Sequence, residues 1–91
     1  MFYALIAHDK PGEIETRKAN RDAHLAYIAE TGVVAQAGPL LGDTGEMAGS
    51  LVILDVADME AARQWAVADP YAQAGLFASV DIHPWNRVIG G

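Results

Sequence analysis

The sequence predicts one α+β domain of order βαββαβ, with both helices on one face of a four-stranded antiparallel sheet. Three observations carry that prediction. Four segments have β-forming composition, Phe2 to His8, Val33 to Leu41, Ser50 to Val56 and Leu76 to about Val88. Two segments between them are built of helix formers and have recognisable ends. Connections are short throughout, and 91 residues at 9.7 kDa hold one domain and not two, so the domain is taken as 1–91.

The first strand breaks at Asp9-Lys10-Pro11-Gly12, a cluster of turn residues. Ile14 to Thr31 then forms the first helix, and Gly32 stands where a left-handed C-terminal cap belongs. The second strand is rich in small residues and interrupted by Gly38-Pro39, and Gly42-Asp43-Thr44-Gly45 is a loop. Asp58 reads as the N-cap of the second helix, with Glu60 in its first turn and Met59, Ala62 and Ala66 on one stripe. Asp69-Pro70-Tyr71 ends that helix, because a residue before proline is pushed out of the α region. Ala72 to Gly75 leads into the last strand.

Two strands carry a further implication. Phe2-Tyr3-Ala4-Leu5-Ile6 and Leu51-Val52-Ile53-Leu54 are apolar on both faces, whereas a half-exposed strand alternates. Two helices cover one face only. The expectation is a homodimer formed by sheet-to-sheet packing.

Composition removes several function classes. The hydrophobic fraction is 52%, but 17 of those residues are alanine, and no apolar run approaches the roughly 18 residues of a membrane span. A net charge of −6 and a pI near 4.7 argue against nucleic acid or anionic lipid as partner. With no cysteine there is no disulfide framework and no thiolate chemistry. The N-terminal segment reads as a strand and not as a leader, so the expected location is cytoplasmic.

Candidate site residues come from the first helix. At 100° per residue, Arg21 lies about 40° and His24 about 20° from Arg17, on the stripe of Ile28 that faces the sheet. Charged groups on an inward stripe are costly unless a polar pocket receives them. The alternative is that both arginines reach out to solvent while His24 is a packing histidine. Asp69 at a helix C-terminus opposes the macrodipole and needs a partner, which His24 or Arg21 could be. Ser50, opening its strand, and Tyr71 can donate to a ligand oxygen, although either has an ordinary structural role. His8 and His83 near strand ends lack ligand spacing, so no metal is expected. There is no phosphate loop, dinucleotide fingerprint or nucleophile elbow, which leaves cofactor-free acid–base chemistry.

In combination, Arg17…Arg21-x-x-His24-Leu25, Ala37-Gly38-Pro39-Leu40, Gly49-Ser50, Ala68-Asp69-Pro70-Tyr71-x-x-Ala74-Gly75-Leu76 and Ile82-x-Pro84-Trp85 closely resemble the YciI-like (YCII-related) family, nearly end to end. The resemblance implies a ferredoxin-like fold of the dimeric α/β barrel superfamily and a catalytic His–Asp dyad on His24 and Asp69. That superfamily includes muconolactone isomerases and small cofactor-free oxygenases, and a YciI-like dehydrochlorinase acts on a chlorinated hydroxyhydroquinone. The expected function is isomerisation or elimination on a small oxygen-rich, enolisable or aromatic metabolite, with no cofactor. His24 and Asp69 would be catalytic, and Arg17, Arg21, Ser50 and Tyr71 would bind the ligand. The alternative is a non-catalytic dimeric module that binds or senses a small molecule. A haem- or quinol-oxidising monooxygenase fits less well, since only lone histidines could serve as haem ligand.

Overall fold

The computed structural model describes residues 1–90, so Gly91, the last residue of the expected domain, lies outside it. The elements are β1 (Phe2–Asp9), α1 (Ile14–Thr31), β2 (Val34–Leu41), β3 (Met47–Asp55), α2 (Met59–Ala68), α3 (Pro70–Gln73) and β4 (Phe77–Trp85). The sheet runs β2-β3-β1-β4 with every neighbouring pair antiparallel, which is the ferredoxin-like arrangement. β3 starts three residues before its expected beginning at Ser50, because Met47 and Gly49 already pair with β2. β4 stops at Trp85, where its ladder with β1 ends at Phe2. The one-turn helix α3 falls where a plain connection was expected.

Strand alternation sorts the residues by face. Tyr3, Leu5 and Ala7 of β1 and Val52 and Leu54 of β3 form the core together with Ala62 and Trp65 of α2. Tyr27 and Ile28 of α1 pack on the edge of that core. The two long helices also bond directly. Tyr27 Oη donates to the Trp65 carbonyl at 2.8 Å, and Trp65 Nε1 donates to Thr31 Oγ1 at 3.0 Å. α2 begins as expected, with Asp58 Oδ1 accepting from the Ala61 amide at 2.8 Å. α1 ends on Gly32 at φ 64°, a left-handed conformation that suits glycine.

α1 departs from the usual surface helix, because the residues it buries are Arg17 and His24. Its attachment to the sheet is therefore largely polar. On the other side of the sheet Phe2 and Ile6 are half-buried, Ala4 and Ile53 are buried among their neighbours, and Leu51 is 39% exposed. No helix of the described residues packs there: α1 and α2 both meet the opposite face.

Candidate functional site

The N-terminal two-thirds of α1 crosses the helix side of the sheet beside β3 and β2, and a cleft of ≈ 190 Å³ lies between them. Its polar wall is Arg17, Arg21, His24, Ser50 and Tyr71. Ile28, Ala37, Pro39, Met47 and Val52 make the apolar wall. The size is informative: a cavity of roughly 150 Å³ admits benzene, so this one suits a single ring with a few substituents.

Each polar group arrives by a local cause. Arg17 and His24 are seven residues apart, two helical turns, and so point the same way from α1. Ser50 shares the β3 face of Val52 and Leu54. Asp69 lies between α2 and α3. Its Oδ1 accepts the Tyr71 amide at 3.0 Å, capping α3, and also faces His24 Nδ1 at 2.8 Å. Asp69 thus stands at the C-terminus of α2, as expected, with His24 as its partner, and it also precedes the N-terminus of a new turn, where a carboxylate is favourable. α3 in turn sets Tyr71 against the site. The Tyr71 ring stacks on His24 with centroids 4.0 Å apart at 16°, and the Arg17 guanidinium lies 4.6 Å from its centre.

The His24–Asp69 pair fixes a tautomer. A carboxylate oxygen accepts, so Nδ1 carries the proton and Nε2 is left as the acceptor of a neutral ring. Among the described residues every fully buried side-chain nitrogen or oxygen has a partner, and Nε2 has none, so Nε2 is open to the cleft. His24 and Asp69 are otherwise sealed, at 7% and 2% exposure.

Arg17, expected to bind the ligand, is already paired within the protein. Its Nε donates to Asp9 Oδ2 at 2.7 Å and its Nη2 to Asp9 Oδ1 at 2.9 Å, a two-pronged ion pair that is almost wholly buried. The same Nη2 donates to Ser50 Oγ at 2.9 Å. Burial works against the guanidinium charge, but Asp9 and, to a lesser degree, Tyr71 together hold Arg17 above its ordinary value. Arg21 was expected beside it on the inward stripe; it is exposed, at the mouth of the cleft, and makes no ion pair among the described residues. Burial raises the Tyr71 phenol, with Arg17 and Arg21 partly offsetting it.

Five of the six expected site residues line one cleft, and the sixth, Asp69, holds one of them from behind. Asp9 is the residue the sequence reading missed. Its signal was the strand phase, since Tyr3, Leu5, Ala7 and Asp9 share the helix-facing side. No group of three or more His, Asp or Glu side chains is placed to hold a metal ion among the described residues. Nor is any of their helices long and apolar enough to cross a membrane.

A four-stranded antiparallel sheet in ferredoxin-like order, with a polar cleft between it and the first helix, defines the class: a small α+β protein of ferredoxin-like fold. Within that class the chain belongs to the YCII-related domain family, whose pattern matches residues 1–86. It is 37% identical over 97 residues to protein YciI of Escherichia coli, covering 97% of this chain and 99% of that one. An uncharacterised protein of Haemophilus influenzae is 33% identical over the same span and coverage. Among solved structures, the 5-chloro-2-hydroxyhydroquinone dehydrochlorinase of Burkholderia phenoliruptrix, in complex with 2,5-dihydroxybenzoquinone, is similar with a TM-score of 0.87. Its sequence identity is 32%, covering 94% of both chains.

Proposed function

We propose that the cleft is the active site of a cofactor-free acid–base enzyme. Its substrate class would be single-ring or similarly small, oxygen-rich, enolisable or aromatic metabolites, and its reaction an isomerisation or an elimination. The observation that carries this reading is the 2.8 Å contact of His24 Nδ1 with Asp69, which leaves Nε2 as a base at the cleft. In the proposed step Nε2 takes a proton from a substrate O–H or C–H, and Asp69 stabilises the imidazolium that forms. In an elimination the electron pair left behind becomes a new π bond as the leaving group departs. In an isomerisation His24 returns the proton to another carbon. Arg21 supplies the unpaired positive charge for a substrate oxyanion. Ser50 and Tyr71 orient the ring, and Arg17 contributes from within its pair with Asp9.

The size of the cleft and the similarity to a dehydrochlorinase that binds a dihydroxybenzoquinone both support a ring substrate. The test is a spectrophotometric screen of hydroxylated and halogenated hydroquinones and small enol lactones. His24→Ala is expected to abolish turnover with binding largely kept, and Arg21→Ala to weaken binding. Turnover by the His24→Ala protein at the wild-type rate removes the proposal. Saturable binding with no product from any compound points to the ligand-binding module instead.

The same reading includes a homodimer packed sheet to sheet. Support comes from the two central strands of that face, whose Phe2, Ala4, Ile6, Leu51 and Ile53 are apolar with no helix of the described residues against them, while β4 sets Asp81 and His83 at their side.

A further inference from the structure

Asp9 takes no part in the proton transfer, yet it is buried and commits both carboxylate oxygens to Arg17. What that does reaches one residue further. A guanidinium has donors only, so the bond from Arg17 Nη2 makes Ser50 Oγ the acceptor. The hydroxyl's own proton is then uncommitted, and Ser50 lines the cleft. The second arm of the site has the opposite polarity. Asp69 takes up the Nδ1 proton of His24, and Nε2 is left accepting. The arms leave α1 seven residues apart and their heads both meet the Tyr71 ring, the His24 ring at 4.0 Å and the Arg17 guanidinium at 4.6 Å from its centre, so the donor and the acceptor are distinct points of one cleft.

We propose that Asp9 is a positioning residue which, through Arg17, fixes Ser50 as a hydrogen-bond donor toward the cleft. The cleft then pairs one donor with one acceptor. It selects a ring with a carbonyl or similar oxygen at the Ser50 end and an acidic O–H or C–H at the His24 end. Which end accepts rests on the acid–base reading of His24. Because Asp9 neutralises Arg17, charge recognition falls to Arg21, and Ser50 reads an oxygen by direction.

Two probes of similar size separate these features. 4-Hydroxyacetophenone carries both a phenol and a carbonyl, and 4-ethylphenol carries the phenol alone. Binding is followed by NMR chemical-shift titration at about pH 6, where both phenols are neutral. The wild type is expected to favour the ketone about tenfold. Ser50→Ala and Asp9→Asn should each bring that preference within about twofold. Ser50→Thr, which keeps the hydroxyl, should keep the preference. An unchanged preference in either Ser50→Ala or Asp9→Asn overturns the proposal, as does a wild type without preference.

If the Asp9→Asn protein does not fold, the wild type decides. The Arg17 Nε–H resonance should stay in place as the ketone is added, because Asp9 still holds it, while the Ser50 amide shifts. A large displacement of the Nε signal means that the ligand draws Arg17 from Asp9, and the positioning role falls. Every readout is binding. A cleft that shows the preference but turns nothing over fails the acid–base reading and leaves this one standing.

Discussion

Replacing Asp69 separates its two tasks, and the structure sets the size of each. One oxygen, Oδ1, accepts both the Tyr71 amide at 3.0 Å and the His24 ring at 2.8 Å. Asp69→Ala removes the cap of α3, worth about 1 kcal/mol. It also leaves a buried imidazole N–H without an acceptor, which costs roughly 1–3 kcal/mol. Together these come to about 3 kcal/mol. For a domain of this length each kcal/mol moves Tm by roughly 4–8 °C, so a fall of about 12–24 °C is expected. Asp69→Asn keeps an oxygen where Oδ1 stands, and asparagine caps as well as aspartate, so its cost is about 1 kcal/mol or less. Thermal and urea unfolding of both variants, in wild-type and His24→Ala backgrounds, gives a double-mutant cycle. The His24–Asp69 coupling should lie at about 1–3 kcal/mol. Equal costs for alanine and asparagine, or a coupling below about 0.5 kcal/mol, would refute a dyad held by that oxygen.

Three other outcomes are expected. Asp9→Ala strands the Arg17 charge in a buried site and should cost about 3–5 kcal/mol in urea unfolding, against no more than about 0.5 kcal/mol for Glu15→Ala, whose partner Lys18 is well exposed. Unfolded Tyr71 ionises near the usual 10, whereas burial raises it in the fold, so the folded state keeps the extra proton. Its contribution to stability is full below pH 10 and is lost as pH rises through the folded value; unfolding followed from pH 8 to 12 should show this loss, and Tyr71→Phe should reduce it. Leu51→Glu places a charge on the open sheet face and should convert a dimer of about twice 9.7 kDa into a monomer, as read by sedimentation; an unchanged sedimentation coefficient in that variant counts against sheet-to-sheet packing.

Much of the fold was legible because periodicity and punctuation agree. Gly32 ends α1, Asp58 starts α2, and the doubly apolar strands β1 and β3 occupy the two central places in the sheet. The inward placement of Arg17 and His24 was also legible, since a seven-residue spacing keeps two side chains on one helix face. What sequence could not supply was the partner of each group. Asp69 reads locally as a helix terminator, and only the one-turn helix after it turns the same carboxylate into a cap and an anchor. Asp9 hides in a run of turn residues. Its bond to Arg17 joins a strand end to a helix across a turn, so the strand phase marks the face of Asp9 but not its partner. Arg21 shows the limit of the helical wheel: 40° separates a sealed guanidinium from one at the rim, because the sheet covers only part of the stripe.

The polar seating of α1 also bears on how such a protein can diversify. In many enzymes the reactive groups strain the fold, so replacing them leaves a more stable scaffold free to drift. Here Arg17 and His24 both hold the helix to the rest of the chain and line the cleft, so a change at either removes an anchor and a wall of the cleft together. New specificities are cheapest to reach where the cleft is built from groups the fold does not depend on. Arg21 and Leu25 at the mouth and Ala37 and Pro39 on β2 are such positions. Lineages descended from one such ancestor should therefore vary the mouth of the cleft sooner than the seating of α1.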